Sequence, residues 1–232
     1  MGNATFLAMT AAEIRANPDV SAPIGWMACQ FSPCGPGLSS LPDALPKGSL
    51  LILNDQMPWC GHDAVLIRNQ LKERIEALEC HGLLLDFQRP VIPEIQELVS
   101  LLCTGLCCPV GVPESYASGF SCPVFLPPIP LHQTVEDYLT LWQGREIWLE
   151  LAMDAEEILL TPESASTTPL LPWEVPEAMH HDEHHHCSYS IKLDESSARF
   201  TLSRTREDLA PLLEEAAHYG VTTAVGLWQE LV

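Results

Sequence analysis

Seven short apolar runs are spaced along the chain, and most are continuous rather than alternating: Ile24–Phe31, Ser49–Asn54, Gly82–Gln88, Pro109–Pro113, Pro123–Leu126, Ile147–Met153 and Thr223–Trp228. A strand must be apolar on both faces when both faces are covered, as in a parallel sheet. Helical periodicity fills several of the gaps. Ala64, Ile67, Leu71, Ile75 and Leu78 recur at three and four residues, with Arg68, Lys72, Glu73 and Glu76 around the other face. Pro93 opens a second helix with Ile95, Leu98, Val99 and Leu102 inward. A third starts at Thr205, carries Glu207 and Asp208 in its first turn, and ends before Gly220. Strand, helix, strand is the signature of a parallel α/β fold, and this many strands in 232 residues suit a small barrel better than an open sheet.

The expectation is therefore one domain over residues 1–232, a small (β/α) TIM-type barrel. Only two clear strands precede Gly82–Gln88, and residues 4–10 offer a poor third, so the barrel is incomplete unless that segment joins it. Two regions break the rhythm. Residues 161–187 are rich in Pro, Ser, Thr, His and acids and are expected as an exposed loop. Residues 187–203 resemble two strands around Asp194-Glu195-Ser196-Ser197, a hairpin inserted before the last helix.

Charge narrows the partners. Thirty-one acidic against 11 basic residues give a net charge of −20, the wrong sign for a nucleic-acid backbone or an anionic membrane surface. No uninterrupted apolar stretch approaches the ~18 residues of a spanning helix. The start, Met1-Gly2-Asn3-Ala4-Thr5-Phe6, has no basic region of the kind that opens an export signal. The nine cysteines contain no C-x-x-C pair. A cytoplasmic protein with reduced, mostly buried thiols is expected.

Chemistry in a barrel gathers at the C-terminal ends of strands, so a strand that ends in acid is the place to look. Gly82-Leu83-Leu84-Leu85-Asp86-Phe87-Gln88-Arg89-Pro90 is such a strand, and period two puts Leu84, Asp86 and Gln88 on one face. With His81 in front, it resembles the fourth strand of the family 18 glycoside hydrolases, the chitinase-like barrels, which reads D-G-x-D-x-D-x-E-Y-P. The Gly, the last Asp, the aromatic after it and the closing Pro match. The segment from the hairpin through Gly220-Val221-Thr222-Thr223-Ala224-Val225-Gly226-Leu227-Trp228 is similar to the family's last helix and eighth strand, where a Trp floors the sugar site. The likeness covers roughly residues 49–90 and 187–232.

The resemblance implies a carbohydrate ligand of the N-acetylglucosamine oligomer type. It puts Asp86 where a carboxylate orients the substrate's acetamido group, and Trp228 where the sugar platform stands. Asn54, Asp55 and Tyr116 are further candidate ligand contacts. The family's general acid is a Glu, and Gln88 occupies its position. An amide cannot give a proton and recover it as a base. His81 and Leu84 replace the two earlier Asp residues. Three readings follow: a sugar-binding barrel with impaired catalysis, an active glycosidase whose acid has moved to Glu114, and a metal- or partner-binding barrel without a sugar ligand.

The segment His180-His181-Asp182-Glu183-His184-His185-His186-Cys187 offers imidazoles and a thiol to a transition metal. Nothing in the spacing fixes a geometry, and a solvated polar segment is the expectation, with no metal and no cofactor. Cys60 and His62 are two residues apart, which is no basis for a Cys–His hydrolase. Cys103, Cys107 and Cys108 are expected to fill core.

Overall fold

Parallel pairing runs unbroken around eight strands and returns to its start. The computed structural model describes residues 4–232; the Met1-Gly2-Asn3 start of the chain lies outside the described residues. In chain order the first half holds β1 (Ala4–Met9), α1 (Ala11–Ala16), β2 (Ile24–Phe31), β3 (Leu38–Ser39), β4 (Leu50–Asn54), α2 (Ala64–Ala77), β5 (Gly82–Asp86) and α3 (Pro93–Gly105). It continues with β6 (Val110–Pro113), β7 (Val124–Leu126), α4 (Val135–Leu139), β8 (Ile147–Leu151), β9 (Ala155–Leu160) and β10 (Ala165–Pro169). The last elements are β11 (His180–Asp182), β12 (Cys187–Leu193), β13 (Ala198–Ser203), α5 (Arg206–Ala217), β14 (Val221–Leu227) and α6 (Trp228–Leu231).

The barrel order is β1-β14-β8-β7-β6-β5-β4-β2, and β2 closes it by pairing in parallel with β1. The weak candidate at residues 4–10 is thus a full barrel strand, and with it the barrel is complete. Its register against β14 runs from Ala4↔Thr223 to Ala8↔Leu227. Two alanines and a threonine in six residues depress the apolar-run signal, yet a strand hemmed in on both sides needs small residues where neighbours crowd it.

Helices form where the sequence places them. Asp63 accepts hydrogen bonds from the Val65 and Leu66 amides at 2.9 and 3.0 Å and opens α2. At α5 the Asp208 carboxylate accepts from the Thr205 amide at 2.7 Å. Gly220, after α5, has φ +98°, a conformation that costs glycine little. Ile67 and Leu71 of α2, Leu98 and Leu102 of α3, and Leu212 and Ala216 of α5 are buried against the outer face of the barrel.

Beyond β8 the chain leaves the barrel for a five-stranded antiparallel sheet, order β10-β9-β13-β12-β11. The expected hairpin is β12–β13, paired from Ser188↔Ser203 to Leu193↔Ala198. The expected loop at 161–187 is corrected: β10 pairs with β9, and β11 with β12. Both are edge strands. β10 is exposed throughout, so no apolar alternation marks it. Arg204, 3% exposed, seats the base of this sheet: its guanidinium donates to the Ile129 carbonyl at 2.6 Å and to those of His186 and His185.

The barrel lumen is packed by Phe6, Ala8, Leu50, Ile52, Leu84, Trp148 and Val225. Trp148 is the largest, and only 1% exposed. Two strand glycines make room for its indole. A Cβ on Gly82 would stand 3.0 Å from Trp148 Cη2, and one on Gly111 would fall within 2.8 Å of Cζ3 and closer still to Cε3. Gly111→Ala is therefore expected to lower the urea midpoint, by about 1–3 kcal/mol of stability, with an unchanged m-value. A variant as stable as the parent would show that the lumen has slack and that Trp148 is not wedged.

Candidate active site at the barrel mouth

Each lumen residue near a strand end has a partner two positions on, one layer higher and on the same face. Ile52 leads to Asn54, Leu84 to Asp86, Gly111 to Pro113 and Trp148 to Glu150. Because the strands are parallel, these second residues all reach the same mouth. There Asp86, Pro113 and Glu150, with Gln88, Glu114 and Phe125, wall a cavity of about 340 Å³. An adjoining cleft of about 230 Å³ is lined by Asn54, Asp55, Gln56, Asp86, Gln88 and Arg89, so Asp86 and Gln88 form the ridge between the two.

Hydrogen bonds fix that ridge. Asp55, 4% exposed, accepts from the Gln88 amide at 3.0 Å and from the Arg89 amide at 2.8 Å. Arg89 returns two bonds, from Nε to the Asp55 carbonyl at 2.7 Å and from Nη2 to the Gln56 carbonyl at 2.8 Å. Asn54 donates to the Met27 carbonyl at 2.9 Å and accepts from the Gln56 amide at 3.2 Å. Asn54 and Asp55 thus line the cleft, and their hydrogen bonds hold the ends of β2, β4 and β5 together. The Gln88 side-chain amide donates to Asp86 Oδ1 at 3.1 Å.

Electrostatics separate the carboxyl groups. Burial raises the Asp86 pKa, the Gln88 bond opposes this, and the Asp55 charge adds to it. Glu150 is displaced further, to about 7, by burial first and then by Asp86, Asp154 and Glu230. A carboxyl group with that pKa is part protonated at neutral pH and can donate as well as accept a hydrogen bond.

Of the candidate residues, Asp86, Gln88 and Glu114 line the mouth cavity. Glu114 stands in a single 3₁₀ turn after β6 and is exposed. Asn54 and Asp55 line the adjoining cleft rather than the cavity, and two further candidates line neither. Tyr116 is fully buried and packs edge-on against Phe87, with ring centroids 5.8 Å apart. Trp228 packs on Leu7, Met9 and Ile24. Those side chains face outward from the barrel, opposite to Phe6 and Ala8 in the lumen. The reason is parity: Val225 points into the lumen, so alternation aims Leu227 at the mouth, and Trp228 follows on the other side. Glu150 was missed. Its signal is a lone charge inside the apolar run Ile147-Trp148-Leu149-Glu150-Leu151, two places after a lumen residue.

The histidine segment is occupied with carboxylates. His185 Nδ1 lies 2.9 Å from Asp182 Oδ2, His186 Nε2 2.7 Å from Glu215 Oε2, and His181 Nδ1 3.5 Å from Asp208 Oδ1. Nearby, a larger cavity of about 420 Å³ runs over the inserted sheet between Leu131 and Ile158, Tyr189, Phe200 and Leu202. Its walls are mainly apolar and no barrel strand ends in it, so the mouth is the better candidate for chemistry.

The sequence matches no protein-family model and no curated protein. The fold is similar to solved structures. One is the spore cortex-lytic enzyme SleL of Bacillus megaterium, 10% identical with a TM-score of 0.58, covering 97% of this chain and 70% of that one. A chitinase from Chromobacterium violaceum is 10% identical with a TM-score of 0.59, over 99% of this chain and 95% of that one. A GH18 chitinase from Cycas revoluta in complex with (GlcNAc)3 is 10% identical with a TM-score of 0.54, over 97% and 95%. The chain shares the chitinase-like barrel fold with these proteins.

Two predictions follow from the charged groups. Glu150 binds its proton more tightly in the folded chain (about 7 against an ordinary 4.5), so its burial costs nothing below pH 4.5 and its full amount above pH 7. Stability should fall as pH rises through that window, and Glu150→Gln should flatten the fall by ~2 kcal/mol in denaturant titrations. Equal slopes would show that Glu150 ionises freely. In addition, a closed metal site contributes folding free energy. With His185 and His186 hydrogen-bonded to carboxylates, thermal unfolding in strong chelator should match that in buffer; a large drop restored by zinc would reassign the segment as a metal site.

Proposed function

We propose that the barrel mouth binds a carbohydrate of the N-acetylglucosamine oligomer type, and that it lacks the proton donor of the chitinase-like reaction. The observation that carries this reading is the Gln88–Asp86 pair, hydrogen-bonded at 3.1 Å on the wall of the mouth cavity. Phe125 adds apolar surface of the kind that sugar rings pack against, and Asp86 offers acceptor oxygens to an acetamido N–H or a hydroxyl. The shared fold of the (GlcNAc)3-bound Cycas chitinase supports the choice of ligand class.

Hydrolysis needs protonation of the leaving oxygen, and a positioned acid supplies about 10²–10⁴-fold of rate. Gln88 offers only a neutral hydrogen bond there. Holding the sugar without protonating it stabilises the bound ground state rather than the transition state, so the expected phenotype is binding without turnover. If a carboxyl group substitutes for the missing acid, Glu150 is suited to the role, because with a pKa of about 7 it is part protonated near neutral pH.

Calorimetry with (GlcNAc)4 should give a dissociation constant between about 10 μM and 1 mM, weakened roughly tenfold in Asp86→Ala. Sugar release from a chromogenic oligomer should be absent in the native chain and detectable in Gln88→Glu. Failure of the oligomer to bind would favour a non-sugar ligand for the mouth. Multiple turnover by the native chain, kept in Glu114→Gln and lost in Glu150→Gln, would make the protein a glycosidase with a relocated acid.

A further inference from the structure

The walls of the mouth cavity include Asp86, Glu114 and Glu150, and among the described residues no Lys, Arg or His lines it. Asp86 enters from β5 and Glu150 from β8, each at the top of a lumen-facing row. The other groups acting on Glu150 are of the same sign: Asp154 just beyond β8 and Glu230 on α6. From α4, Tyr138 lies near Glu114 and Glu150; burial first, and then these two carboxylates, push its phenol pKa up. Arg89, the basic side chain of the adjoining cleft, has its guanidinium turned onto the Asp55 and Gln56 carbonyls. The cavity therefore brings carboxyl groups together in a partly dry space without a cation of its own.

We infer that this cavity selects a sugar unit bearing a free, protonated amine, a glucosamine rather than an N-acetylglucosamine, and that Glu150 makes the selection. The inference rests on the carbohydrate reading above and adds the charge class of the ligand. An anionic sugar would add to the repulsion between Asp86 and Glu150. A neutral one leaves it unrelieved, and Glu150 keeps its proton. An ammonium group pairs with both carboxylates, because in a desolvated site an opposite charge favours the ionised form of each. The proton that Glu150 holds then leaves to solvent, and no covalent bond changes. The raised pKa of Glu150, caused by burial and then by Asp86, agrees with a cavity whose carboxyl groups lack a counter-charge. Partly de-N-acetylated chitin-type oligomers carry both kinds of unit, and the mouth would place the free amine at Asp86 and Glu150.

The test is calorimetry on the whole chain with (GlcN)4, (GlcNAc)4 and an N,N,N-trimethyl glucosamine oligomer, whose charge does not change with pH. The native protein should bind (GlcN)4 about tenfold more tightly than (GlcNAc)4. Its affinity for the trimethyl probe should rise between pH 6 and pH 8, with about half a proton released per ligand at pH 7, detected as a dependence on buffer ionisation enthalpy. Glu150→Gln should lose the preference, the pH dependence and the proton release. Glu195→Gln, on the exposed hairpin turn, should keep all of them. A preference that survives in Glu150→Gln would mean general attraction to a chain of charge −20 and would overturn the inference. So would native protein that releases no proton, a result independent of whether the variant folds. Binding of (GlcNAc)4 at least as tight as (GlcN)4 would overturn it while leaving the carbohydrate reading intact. No binding of any oligomer would remove both.

Discussion

The packing of Trp148 against Gly82 and Gly111 is the constraint from which the mouth takes its form. A barrel of this size has a lumen too narrow for eight large side chains in one layer, so one indole fills the space that two glycines vacate. With Trp148 pointing inward, strand geometry leaves Glu150 no choice but to point inward one layer up. The same logic carries Leu84 to Asp86 and Ile52 to Asn54. Core packing thus places a carboxylate in a partly dry mouth, where water would otherwise have solvated it.

What the mouth can do follows from how little it compensates that burial. Asp55 accepts from two backbone amides and so fixes the ridge carrying Gln88. Gln88 gives Asp86 one side-chain donor. Burial first, and then the charges of Asp86, Asp154 and Glu230, raise the Glu150 pKa to about 7. The outcome is a site with two carboxyl groups whose pKa values burial raises, and an amide where the chitinase-like pattern has an acid. Such a site suits recognition of a polar ligand with donors of its own, and its charge makes a cationic ligand the better fit.

Much of this was legible in the residues. Continuous apolar runs gave β2, β4, β5, β6, β7, β8 and β14 to within a few residues, because a strand buried on both faces leaves a strong pattern. The acid-ending strand pointed to Asp86 and Gln88 for the same reason. β1 was faint, since alanine and threonine meet crowding with small size rather than hydrophobicity. β10 and β11 were hidden because edge strands on an exposed sheet need no apolar alternation; backbone pairing alone defines them. Trp228 shows the limit of motif matching: one residue decides whether a side chain faces the mouth or the outer layer, and only the register against β1 settles which. Glu150 was discoverable by the same parity, counted from Trp148, once Trp148 was known to face the lumen.

A crystal structure of the protein soaked with a (GlcNAc)4 or (GlcN)4 oligomer tests the central claim most directly. The account predicts a sugar unit in the cavity between Gln88 and Glu150, with its 2-amino or 2-acetamido nitrogen within hydrogen-bond distance of Asp86. An oligomer lying instead in the apolar groove of the inserted sheet, with the mouth empty, would contradict it.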